Sequence, residues 1–97
     1  MFSRQLFSND KYQQIVETLE SCKKVYQYLY NRRKDLWVIK MINGYNFVGK
    51  FSDDGYPVSG FIEKMEDGNN NVVFFTNSEK TDNLAKMIED IYKQNTN

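Results

Sequence analysis

Histidine is absent from this 97-residue chain, and cysteine, proline and alanine occur once each. Each scarcity excludes something. Without histidine there is no Ser-His-Asp or Cys-His catalysis, no common zinc site, and no side chain that switches charge near neutral pH unaided. A lone Cys22 cannot form an internal disulfide, which fits a reducing compartment. No apolar run approaches the roughly 20 residues that span a bilayer. The opening "MFSRQLFSND" lacks the apolar centre of a signal peptide, so a cytoplasmic location is expected.

Usage of the other residues is skewed. Phe, Tyr, Met, Ile, Asn and Lys supply 45 positions, whereas Gly, Ala, Arg and Pro supply 10. This is the signature of A·T-rich coding, and it makes a phage, viral or mobile-element source plausible. Net charge is zero but unevenly spread: residues 1–40 hold eight basic and four acidic side chains, residues 41–97 five and nine. At 40% hydrophobic and 15% aromatic content the chain can build one core, and its length leaves no room for a second. One domain over residues 1–97 is expected, with 1–8 and 94–97 frayed.

From Asn9 to about Asn31 the apolar spacing is helical. At about 100° per residue, Tyr12, Ile15, Val16, Leu19, Cys22, Tyr26, Leu29 and Tyr30 share one arc. Ser8 or Asn9 can cap this helix, and Glu20 is placed to pair with Lys24. The period then changes. Asn43-Gly44 between two β-rich runs signals a hairpin with a two-residue loop. That register puts Leu36, Val38, Ile42, Tyr45, Phe47 and Phe51 on a core face, and Trp37, Ile39, Met41 and Val48 on the other. A third strand is expected near Val58–Met65 and a fourth at Val72–Thr76. A short helix capped by Ser78 or Thr81 follows, with Leu84, Ala85, Ile88, Ile91 and Tyr92 inward. The fold class is α+β: a long N-terminal helix, a four-stranded antiparallel meander and a short C-terminal helix.

Little here points to chemistry. Asp53-Asp54-Gly55 lacks the alternating carboxylates and distal glutamate of a calcium loop. Glu63, Glu66 and Asp67 have no base or nucleophile beside them, no glycine-rich phosphate loop exists, and Cys22 falls in the helix's apolar arc. No enzyme activity, cofactor or metal is expected. Two binding readings remain. "KKVYQYLYNRRK" (23–34) mixes basic and tyrosine residues, and Lys23, Lys24, Arg32, Arg33 and Lys34 are candidate phosphate contacts. On a helix, however, these cations scatter around the axis and "NRRK" becomes an ordinary basic helix end. The second reading is protein contact. Trp37, Ile39, Met41 and Val48 are core if a helix covers each sheet face, and an exposed interface if both helices share one. Tyr28 points outward from the helix and joins them as a candidate. The expected partner is another protein or a second copy of this chain, and the expected role that of a regulator, adaptor or inhibitor.

"MINGYNFVGKFSDD" (41–54) also resembles the first motif of Sm-like RNA-binding proteins, through Met41, Asn43-Gly44, Phe47, Gly49, Phe51 and Asp54. The resemblance implies a small barrel in a ring that binds single-stranded RNA. It covers about 14 residues. Pro57, Val58 and Ser59 stand where that family has an asparagine, and Thr76-Asn77 replaces its second motif's basic-glycine pair. The chain is therefore not assigned to that family.

Overall fold

The computed structural model describes residues 12–67, 69, 72–74 and 79–94. Helix α1 (Gln13–Ser21) leads into strands β1 (Val25–Asn31), β2 (Leu36–Met41), β3 (Asn46–Ser52), β4 (Ser59–Glu66), β5 (Val72–Phe74) and β6 (Glu79–Thr81), and helix α2 (Leu84–Gln94) follows. The strands form an antiparallel sheet in the order β1-β2-β3-β4-β5, with β6 also paired to β4. The class is α+β, a meander flanked by two helices.

The N-terminal helix is far shorter than its apolar period suggests. It ends at Ser21, and Cys22 is already extended. The following residues, "VYQYLYN", are aromatic or β-branched at most positions and fit a strand better than a helix. A bulge between Val25 and Gln27 explains the misleading period. It places Val25 and Tyr28, three residues apart, on one face of the strand, which mimics a helical step. Tyr26 and Leu29, inward on a helix, are exposed here.

Each helix start is bonded by a side chain that lies outside the helix. Ser8 and Asn9 lie outside the described residues. Among the described residues, the Ile15 N–H of α1 donates to Asp53 Oδ1 at 3.2 Å, so the β3–β4 loop supplies the cap from 38 positions away. A carboxylate there also complements the helix dipole. In α2 Asn83 caps, accepting from the Lys86 N–H at 3.1 Å. Thr81 instead accepts from the Asn83 N–H, and Ser78 is outside the described residues.

The β2–β3 hairpin slips by one residue from the expected register. Its loop is Ile42-Asn43-Gly44: Met41 N–H donates to the Tyr45 carbonyl at 2.9 Å, and Gly44 N–H to the Met41 carbonyl at 3.1 Å. Gly44 has φ of 92°, the left-handed residue that closes a three-residue loop. Ile39 therefore faces Phe47, and Val38 faces Val48. A one-residue slip exchanges faces. Trp37, Ile39 and Met41 now share a face with Phe47 and Phe51, while Leu36, Val38 and Ile42 fall on the opposite side with Val48.

Both helices pack on the first of these faces. Ile15, Val16 and Leu19 of α1 and Leu84, Ile88 and Ile91 of α2 join Val25, Tyr28, Trp37, Ile39, Met41, Phe47, Phe51, Val58, Ile62 and Met65 in one core. At the rim of this core Tyr30 lies 4.6 Å from Trp37 and Tyr12 4.7 Å from Tyr30, ring centre to ring centre. Gly60 is required where β4 passes Phe51, because a Cβ there would strike the Lys50 carbonyl oxygen. No described helix covers the other face.

Candidate functional site

The expected contact surface divides between the two sides of the sheet. Trp37, Ile39 and Met41 are fully buried, and Tyr28 is 7% exposed, so these four belong to the core. Tyr28 also donates its hydroxyl hydrogen to Glu20 at 2.7 Å, which ties β1 to α1. Glu20 thus serves Tyr28, while Lys24 lies over the Tyr92 ring at 4.7 Å. Of the sheet candidates only Val48 stands on the helix-free face.

The basic candidates separate as well. Lys23 and Lys24 sit in the α1–β1 turn, whereas Arg32, Arg33 and Lys34 form the β1–β2 hairpin tip. Seven residues of extended β1 lie between them, about 23 Å at 3.3 Å per residue. The tip is a turn and not a helix end: Lys34 N–H donates to Asn31 Oδ1 at 3.2 Å, and Asp35 takes a φ of 53°.

Strand pairing instead assembles a surface from residues the sequence pattern had not joined. Leu29 faces Val38, Val38 faces Val48 and Val48 faces Lys64, a row crossing four strands. Beside it, Lys50 faces Phe61 and Phe61 faces Lys80. On the row's other flank Gln27, Lys40, Asn46 and Glu66 are paired in turn. Leu36, opposite Asn31, extends the apolar strip at the end nearest the hairpin tip. Alternation along each strand puts these side chains on the side away from the helices.

The strip is graded. Val48, in its middle, is 6% exposed; Leu29 and Phe61, toward its edges, are 44% and 47% exposed. Its surround is lysine-rich. Lys64 pairs with Glu66 at 3.1 Å, and Lys80 approaches Asp82 at 3.8 Å, both near solvent. Such pairs are weakly held. Glu63 occupies the bulge of β4 next to Lys64. Lys40 and Lys50 have no carboxylate within ion-pair distance among the described residues.

On the helix side, Tyr12, Tyr30, Arg32, Asp35, Asp53 and Asp54 line a cleft of about 400 Å³. Tyr30 donates to Asp35 at 2.8 Å and lies 3.2 Å from the Tyr12 hydroxyl. An ionised carboxylate only accepts, so Tyr12 is the donor to Tyr30. Burial first, then the hydrogen bond that Tyr30 donates to Asp35 and the charge of that carboxylate, push the Tyr30 phenol above its ordinary range. A phenol held neutral in this way ties β1 to the β1–β2 turn and does not exchange protons near neutral pH. Burial, then the Glu89 charge, likewise raises the Cys22 thiol, which makes it a packing residue and a poor nucleophile. Among the described residues no group of His, Cys, Asp or Glu side chains could hold a metal ion. No described helix is long and apolar enough to cross a membrane.

Comparison with protein-family models, with curated protein sequences and with solved structures finds no match for this chain, so the geometry of the sheet face supports the functional reading by itself.

Proposed function

We propose that this chain is a non-enzymatic binding protein that acts through the helix-free face of its sheet, docking another protein there. The observation that supports this is the set of apolar side chains Leu29, Leu36, Val38, Val48 and Phe61 on one sheet face, with Lys40, Lys50, Lys64 and Lys80 beside them. An apolar middle with a polar border is how protein interfaces are built. With both helices on the opposite side, nothing described in the chain uses the strip. A regulator, adaptor or inhibitor works by contact of this kind. A cytoplasmic setting, suggested by the single thiol, and a phage or mobile-element origin, suggested by residue usage, belong to the same proposal.

The test is a comparison of wild type with Leu29→Thr/Phe61→Thr as bait in nuclease-treated extract of the producing cell. Threonine keeps strand propensity and removes the apolar contact. A true partner weakens by at least about tenfold, the equivalent of about 1.4 kcal/mol. Equal capture by both baits contradicts the proposal.

A further inference from the structure

Resting on the reading that the helix-free face is a docking surface, we infer that its occupant is a protein surface that brings carboxylates to the edges of an apolar strip, and not a second copy of this chain. Lys40 lies on β2, Lys50 on β3 and Lys80 on β6, so together they flank Val48 and Phe61 from several directions. A partner large enough to cover both apolar side chains meets these ammonium groups at its margin. Lys64 is already matched by Glu66. Lys40 and Lys50 have no such match among the described residues, and Lys80 only the distant, exposed Asp82.

Two copies laid face to face would set lysine border against lysine border. Closing an interface thins the water between them, lowers the effective dielectric and strengthens that repulsion. Carboxylates in the same places turn the repulsion into attraction and steer the encounter. Nucleic acid also offers negative charge, but its bases are held on such surfaces by stacking on rings. Among the described residues of the strip one is a ring, Phe61, against the aliphatic Leu29, Leu36, Val38 and Val48. The middle of the strip suits leucine, valine or methionine side chains of a protein.

The chain itself supplies a defined probe. Lys40→Glu/Lys50→Glu/Lys80→Glu keeps the apolar strip and gives it an acidic border. Its far-ultraviolet dichroism and thermal midpoint establish that it folds like wild type. Sedimentation velocity is then run on each protein alone and on the mixture at about 0.05 M salt, where charges are screened least, and again at about 0.5 M. Each protein alone sediments as a monomer, and the mixture forms a heterodimer. That heterodimer weakens at least about tenfold at the higher salt, and Leu29→Thr/Phe61→Thr in either member abolishes it. Wild type that self-associates through the strip would make a second copy the occupant and overturn the inference. A mixture that stays monomeric also overturns it. So does binding of a single-stranded oligothymidylate to wild type that is lost with Phe61→Thr, since nucleic acid is then the occupant. A heterodimer insensitive to the Leu29 and Phe61 changes would mean attraction by charge alone, and the docking reading itself would fall.

Discussion

The two faces of the sheet are made from alternate residues of the same strands, yet they behave as different materials. Along β2, Trp37, Ile39 and Met41 are sealed under α1 and α2, while Leu36, Val38 and Lys40 remain partly open. The sealed face draws apolar residues from both helices and from β1 to β4, and Tyr12, Tyr28 and Tyr30 surround the Trp37 ring. The open face has an aliphatic strip of one or two residues on each of three strands, then Phe61 and lysines. Burial on one side and restraint on the other teach the same lesson: apolar content alone does not mark an interface, and its placement relative to the helices does.

Substitution can break this contrast, and the largest effect belongs to the sealed face. Trp37→Ala should cost about 3–5 kcal/mol in denaturant unfolding, because it empties the centre of the core. Phe61→Ala, an aromatic truncation on the open face, should cost within about 0.5 kcal/mol. Similar losses at the two positions would mean that the open face is as closed as the core. Next in size is Asp53→Ala. It removes the cap that the β3–β4 loop lends to α1, for about 1 kcal/mol, and should accelerate amide exchange in the first turn of that helix.

A smaller, pH-dependent effect comes from Tyr30. Folding holds its phenol above the ordinary value near 10, so the folded state keeps the proton more tightly than the unfolded one. Its contribution is complete below about pH 10 and is lost as pH rises through the folded value. Tyr30→Phe should remove that part of the alkaline decline, read as a shallower fall of the thermal midpoint above about pH 10. An unchanged slope would take Tyr30 out of the alkaline transition. The smallest stability effect should come from Leu29→Thr, within about 0.5 kcal/mol by thermal unfolding, although binding falls with it.

How much of this was legible in the sequence follows from particular residues. The α+β class, α2, and β2, β3 and β4 within a residue or so all follow from period and turn signals. Residues 25–31 read as helix because the Val25/Gln27 bulge spaces Val25 and Tyr28 like a helical turn, and nothing local reveals a bulge. The strand propensity of "VYQYLYN" was the available counter-signal. Asn43-Gly44 located the hairpin but not its loop length. Two-residue and three-residue loops both use a left-handed glycine, and the choice decides which face of β2 and β3 is buried. The sequence therefore held both faces, one sealed and one spare, with the β2 residues assigned in reverse. Lys50, Phe61 and Lys80 come together only through pairing of β3, β4 and β6, so the border of the strip was beyond a one-dimensional reading.

The most direct test of the central claim, that the helix-free face is the contact surface, is affinity capture from nuclease-treated extract with two baits matched in thermal midpoint: wild type and Leu29→Thr/Phe61→Thr. A protein partner should be retained by wild type and lost from the double variant, indifferent to nuclease. A partner held equally by both baits, one stripped by nuclease, or no partner at all would contradict it.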